Sequence, residues 1–268
     1  MKKALGKVKG ESLQTKQVVC NLPEEKVFIR LVQLPRMKKE EIAKAIPWGT
    51  EAHIPLKLDE VYLDWQMIKP LKKGLDHLDI LVAATPRSLV DSYFRVLKKS
   101  GLEPVALEPE SVAVVRSLIP ADSPKPTILI DLGISGSNFV ISSASAIRFT
   151  ARSATSGQLF NQAITQELKV DEKQANQLKI KVGFDKTKQA GKVYQALEPI
   201  IDDLAKQIKD YMGFYHSHAS HIHGPYKTVN QGLLCGGDSL LINLPAYLSK
   251  KLDLPIQIGN PCWPGKFG

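Results

Sequence analysis

The stretch Ile128-Leu129-Ile130-Asp131-Leu132-Gly133-Ile134-Ser135-Gly136-Ser137-Asn138-Phe139-Val140-Ile141 restricts the fold of this chain more than any other. Two apolar, β-prone runs flank Asp131 and a short turn of glycine and serine, which predicts a buried strand, a tight loop and a returning strand. Such a loop is either an ordinary hairpin turn or a phosphate cradle made of backbone N–H groups and Ser hydroxyls. In the second case the Asp131 carboxylate stands where a metal ion or its water needs an oxygen ligand.

About a hundred residues later, Gly232-Leu233-Leu234-Cys235-Gly236-Gly237-Asp238-Ser239 reads as a strand, a glycine pair and a helix start at Asp238 or Ser239. The helix expected there has Leu240, Leu241, Leu244, Tyr247, Leu248 and Leu252 on one face. Glycine at a strand–helix junction lets backbone approach a ligand closely, and a helix N-terminus favours anions. A glycine pair alone often only turns the chain. Two glycine-bearing strand ends in this order are more specific.

The rest of the chain reads as alternating α and β segments. Gln17–Pro23 is expected as a buried strand, Val27–Leu34 as a second and Lys38–Trp48 as an amphipathic helix. Val61–Ile68 and Asp79–Ala84 follow as strands. Thr85-Pro86 opens a helix with proline at its first position, ended by Gly101. Val105–Leu107 is a short strand, and Glu108-Pro109-Glu110 opens a helix with Val112, Val115, Leu118 and Ile119 facing the core. Three prolines in Pro120–Pro126 mark a linker between two lobes. Beyond it come a third strand at Ala146–Thr150, a helix from Gln158 carrying Leu159, Ile164 and Leu168, a helix capped by Asp171, and a long amphipathic helix within Ala190–Tyr215.

These features resemble the actin-like ATPases of the PilM type, which act in type IV pilus assembly and are relatives of the division protein FtsA. The most diagnostic run is Glu40-Glu41-Ile42-Ala43-Lys44-Ala45-Ile46-Pro47-Trp48, with Glu51-Ala52-His53-Ile54-Pro55 and Glu60-Val61-Tyr62-Leu63-Asp64-Trp65 after it. The glycine loops are shared more widely, sugar kinases included. The resemblance implies an α/β, ribonuclease H-like, actin-like ATPase fold of two lobes. Residues 1–26 and 106–120 would form a partial first lobe and 27–105 an inserted α/β subdomain. Residues 127–170 and 226–268 would form the core of the second lobe, with 171–225 as its helical subdomain.

The resemblance also assigns roles. ATP and Mg are the implied ligands. Asp131 would face Mg²⁺ through water. Gly133, Ser135, Gly136 and Ser137 would border the β- and γ-phosphates. Gly236 and Gly237 match the adenosine motif, and Gly157 keeps the flexible position of a turn that usually reads Val-Gly-Gly-Asn. Lys179 matches a lysine near the ribose and base, whose usual glutamate neighbour is Asn176 here. Asp238 replaces the customary third glycine, and its expected role is a plain helix cap. No first Asp-x-Gly hairpin precedes Gln17, and the chain stops soon after the Asn260-Pro261 that precedes a further helix in the family. The expectation is a product lacking both ends of the ancestral domain, which binds ATP rather than hydrolysing it efficiently.

Composition narrows the alternatives. Forty-three per cent hydrophobic residues over 268 positions supply large cores, and three well-separated cysteines form neither a disulfide framework nor a CxxC metal pair. A reducing cytoplasm is the simplest location. The basic start leads into no apolar core, so it is not a signal peptide, and no apolar run reaches membrane-spanning length. The formal charge of +9 comes from scattered lysines without a recognition helix or aromatic–basic interleaving, which argues against nucleic acid. His216-Ser217-His218-Ala219-Ser220-His221-Ile222-His223 has the look of a zinc or nickel tract. No carboxylate or cysteine converges on it in sequence, and it sits where imidazole suits a helix end.

The expected function is therefore a cytoplasmic, ATP-responsive scaffold. It would receive a short cytoplasmic peptide from a membrane-bound PilN-like protein, with Val27–Leu34 and Lys38–Trp48 as the candidate groove. Association with the membrane would be peripheral, at its inner face. Contacts with other pilus assembly components are implied, and self-association is left open. An FtsA-like division protein and a phosphotransferase on the same fold are the alternatives. The first lacks its amphipathic tail, and the second lacks a visible sugar pocket.

Overall fold

A computed structural model describes residues 5–7, 15–51, 54–68, 76–120, 123–143, 146–218 and 228–261. The chain forms two compact units, divided between Val114 and Val115. That boundary falls ahead of the proline-rich segment at 120–126.

In the first unit β1 (Gln17–Leu22) pairs with a later strand, and β2 (Phe28–Pro35) is followed by α1 (Lys39–Glu51), β3 (Val61–Met67) and β4 (His77–Pro86). Then come α2 (Arg87–Lys99), β5 (Glu103–Pro109) and α3 (Glu110–Leu118), a helix within which the division falls. Strands β2, β4 and β3 form an antiparallel sheet in that order. Its core joins Val32, Leu34, Ile80 and Val82 to Ile42 and Ile46 of α1. The i, i+4 spacing of Ile42 and Ile46 puts both on one face of the helix. Helix α1 runs past Trp48 to Glu51 despite Pro47, and Thr50 Oγ1 donates to the Ile46 carbonyl at 2.7 Å. Pro86 closes β4 and is the residue before α2, not its first helical position. Gly101 adopts φ +82° after α2, the left-handed conformation that the helix exit needs.

One expectation fails here. β1 pairs in parallel with β5 alone among the described residues, and it is not a buried strand. Val19 is 54% and Val105 59% exposed. Sequence alternation shows which side chains share a face. It does not show whether anything covers that face.

The second unit holds β6 (Thr127–Leu132), β7 (Ser137–Ser143), β8 (Ala146–Ser153), α4 (Gly157–Leu168), α5 (Glu172–Val182) and α6 (Lys192–His218). It ends with β9 (Gln231–Cys235), α7 (Leu244–Leu252) and β10 (Ile256–Ile258). The sheet order is β10-β9-β6-β7-β8, parallel from β10 to β6 and antiparallel from β6 to β8. Central β6 is almost wholly buried, as its continuous apolar run requires. Ile128, Ile130, Leu132, Phe139 and Ile141 share one core with Phe160 and Ile164 of α4, Ala175 of α5 and Leu197, Ile201, Leu204 and Ile208 of α6. Leu159, expected inward, is exposed, and Phe160 takes the core position. Asp171 and Gln174 form the reciprocal capping box at the start of α5.

The helix expected from Asp238 is broken. Gly237–Leu240 is a single 3-10 turn, and α7 begins only at Leu244. Pro245 explains the break, because deep inside a longer helix it would remove a hydrogen bond and clash with the preceding turn. At the start of α7 it is tolerated, with Asn243 in the left-handed conformation ahead of it. Leu240 is consequently 68% exposed.

An aromatic cluster braces α7. Phe184 stacks on Tyr194 at 4.1 Å between centroids and meets Tyr247 edge-on at 4.7 Å. Tyr194 donates to Glu198, and Tyr247 donates to Asp202, which also pairs with Lys251. Burial, reinforced by those carboxylates, pushes both phenols up to about 12.

No helix among the described residues is long and apolar enough to cross a membrane. No cluster of three or more metal-ligating side chains occurs among them either. His221 and His223 lie outside the described residues, as does Cys262.

Candidate functional site

The turn joining β6 to β7 is closed by Gly133 N–H donating to the Gly136 carbonyl at 3.1 Å. A Cβ at Gly133 would stand 2.8 Å from that same oxygen, so the tight closure needs glycine. Ile134 and Ser135 at the tip are exposed, and Asp131 is half-buried below them. Strand β9 runs parallel beside β6, with Asp131 opposite Cys235. The next residue, Gly236, has φ 80° and ψ 168°, a region open essentially only to glycine. A Cβ there would lie 2.4 Å from Asp131 Oδ1 and 2.5 Å from the Leu132 carbonyl. The two glycine turns therefore touch at the carboxyl ends of adjacent parallel strands. That is the usual place for ligands on an open α/β sheet. Gly236 and Gly237 are exposed, and nothing stands within 4 Å of a Cβ built on Gly237.

Helix α4 starts against the hairpin. Ser137, fully buried, donates its hydroxyl to the Thr155 carbonyl at 2.6 Å. Its hydroxyl is therefore a strut between strand and helix. Gly157 N–H donates to the Gly133 carbonyl and Gln158 N–H to the Ile134 carbonyl, both at 3.0 Å. Ser156 caps Leu159 N–H. The first donors of α4 are thus spent on the hairpin and its own cap, which fixes the turn but leaves no helix-end nest for an anion.

Lys179, from α5, reaches the same place. Its ammonium lies 2.7 Å from Asp238 Oδ1 and 3.3 Å from the Gly157 carbonyl. Asp238 is not a helix cap, because its carboxylate is turned away from the 3-10 turn to meet this ammonium. A Cβ on Gly157 would fall within 1.9 Å of Asp238 Oδ2. Asn176, one helical turn before Lys179, is half-buried. Arg152 also borders the hairpin: its Nη2 and Nε would lie 3.0 and 3.1 Å from a Cβ at Gly136. The strand read from sequence ended at Thr150. The observed strand continues to Ser153 and sets Arg152 opposite Asn138.

All nine residues expected at the site are thus in one region of the second unit. Ser135, Gly236 and Gly237 are exposed there, and Asp131 is half-buried between them. The space beside Gly157 is filled by Asp238.

The model of the type IV pilus assembly protein PilM matches residues 2–265. The chain belongs to the PilM family. It is similar to a chain of a solved PilM–PilN type IV pilus biogenesis complex, at 24% identity and a TM-score of 0.74 over 93% of this chain and 70% of that one. MreB5 of Spiroplasma citri is more distant. Its AMPPNP-bound structure is 16% identical at a TM-score of 0.54, over 65% of this chain and 60% of that one. Its ADP-bound structure is 17% identical at the same score, over 66% and 62%. These likenesses show the actin-like fold, and family membership makes the chain an actin-like protein of type IV pilus assembly.

Proposed function

We propose that this PilM-family chain is a nucleotide-binding scaffold that engages a PilN-like membrane protein on the cytoplasmic side. The observation that carries the nucleotide reading is the contact between the Asp131 and Gly236 turns, whose outer residues Ser135, Gly236 and Gly237 stay exposed. In this reading Ser135 and the backbone of Gly133 and Gly136 border the phosphates of ATP. Asp131 holds hydrated Mg²⁺, a hard cation that takes oxygen ligands and keeps several waters. The metal would neutralise phosphate charge. Lys179, Gly157, Gly236 and Gly237 form the wall beyond it. Binding, and not turnover, is the proposed activity.

The partner reading is supported by the kinship with the solved PilM–PilN complex and by the first unit's surface. Strand β2 is an edge strand among the described residues, and Trp48 on α1 is 80% exposed. An extended peptide adds to such an edge through backbone hydrogen bonds, with a nearby aromatic as anchor. Attachment through that partner would hold the chain at the inner face of the membrane.

Thermal unfolding with and without ATP and Mg²⁺ tests the first part. Ligand at a hundred times its Kd is expected to stabilise the chain by about 2.7 kcal/mol, and Asp131→Ala is expected to abolish the shift. A shift that survives in Asp131→Ala overturns the assignment.

A further inference from the structure

The Lys179–Asp238 pair sits where neither charge is cheap to keep. Lys179 is 4% and Asp238 9% exposed. Removing two charges from water costs several kcal/mol per ion in general, so a buried pair is weak as a source of stability. Its position suggests another use. The carboxylate fills the space where a side chain on Gly157 would stand, and Gly157 N–H donates to the Gly133 carbonyl of the hairpin. On the other side, Asp238 directly follows the exposed Gly236–Gly237 backbone. A ligand whose phosphates rest at Ser135 and whose body runs along those glycines meets Asp238 and Lys179 as the next polar groups. The ammonium it would meet is already taken by the chain's own carboxylate.

We propose that Asp238 is a tethered plug in the nucleotide crevice. Its carboxylate occupies the place beside Gly157 and Lys179 that the non-phosphate end of the ligand needs, so the pair must part before a nucleotide seats fully. The idea rests on the nucleotide reading above and adds what sets affinity there. The incoming group must also offer Lys179 an acceptor, such as a sugar hydroxyl oxygen, because an ammonium left buried without a partner is costly. A plug closed nine-tenths of the time weakens apparent binding about tenfold. Asp238 therefore acts as a specificity-determining residue: it penalises every ligand whose non-phosphate end must displace the carboxylate, and most of all one that offers Lys179 no acceptor in its place.

Equilibrium dialysis of the full chain against radiolabelled ATP with Mg²⁺ tests this. Asp238→Gly and Asp238→Ser, checked for cooperative unfolding, are expected to bind at least tenfold more tightly than the parent. The serine variant keeps the test open if the glycine variant does not fold. Asp238→Asn, of equal volume and still able to accept from Lys179, is expected to stay within threefold of the parent. Tighter binding by Asp238→Asn equal to that of Asp238→Gly overturns the plug, since charge and not occupancy would then set affinity. Unchanged or weaker binding by both small variants, with Asp131→Ala still abolishing binding in the parent, also overturns the plug but leaves the nucleotide reading standing. Binding indifferent to Asp131→Ala, or no binding by any variant, removes the nucleotide reading and the plug with it.

Discussion

Alanine at Gly236 and alanine at Gly237 are the same chemical change at adjacent exposed positions, yet they are expected to differ sharply in effect. At Gly236 the backbone has φ 80° and ψ 168°, and a methyl group would enter the space of Asp131 Oδ1 and the Leu132 carbonyl at 2.4 and 2.5 Å. Residues held in such a region cost about 1–3 kcal/mol in backbone strain. Forcing an extra carbon into packed structure adds about 1–3 kcal/mol. Relaxation of either one relieves part of the other, so about 3 kcal/mol is a reasonable total. Gly237 has open space around its would-be Cβ and no left-handed requirement, so alanine there is expected within about 0.5 kcal/mol of the parent. Urea unfolding followed by circular dichroism measures both. In thermal melts the Gly236→Ala deficit corresponds to about 6–12 °C for a unit of this size. Equal stabilities for the two variants would refute the tight contact between the strand ends, and with it the geometry on which the ligand reading stands.

Lys179→Met leaves the Asp238 carboxylate buried alone and is expected to cost about 3–5 kcal/mol, whereas Lys179→Met with Asp238→Asn costs much less than the sum of the single changes; additive effects in a double-mutant cycle would contradict the pairing. Ser137→Ala removes a buried strut and is expected to cost about 1–2 kcal/mol in urea unfolding while ATP affinity moves less than twofold; Ser135→Ala is expected to show the reverse pattern, and a large affinity loss in Ser137→Ala would restore it as a ligand contact. Tyr194 and Tyr247 keep their protons to about pH 12 when folded but ionise near 10 when unfolded. Stability from this source is therefore complete below pH 10 and lost between about 10 and 12, and Tyr247→Phe is expected to flatten part of that decline in chemical denaturation at pH 9 and 11.

The hairpin and the start of α5 could be read in the sequence because their signals are local. Ile128–Ile141 carries apolar runs broken by small turn residues, and Asp171 with Gln174 spells a capping box within four residues. The break after Asp238 is masked in the sequence because apolar spacing continues through Leu240 and Leu241. Pro245 was the available signal, since a proline near the start of a helix is far better tolerated than one in its middle. The Lys179–Asp238 pair had no local signal. A short polar residue after two glycines has the composition of a cap, and only the fold brings α5 across to it. Arg152 lies one alternation past Thr150, beyond the apolar run that marks β8 in the sequence, and the pairing with β7 sets it opposite Asn138. Exposure of β1 was beyond reach of pattern, because coverage of a face is decided by elements distant in sequence.

The interruption between the 3-10 turn and α7 has a mechanical consequence. Freed from a helix, Ile242 packs against Gly183 at the end of α5, and its carbonyl takes the Phe184 N–H at 2.9 Å. Helix α5 is thereby riveted to the segment that follows Asp238 just past its end and joined to Asp238 itself through Lys179 in its last turn. Two fastenings resist rotation where one would act as a swivel.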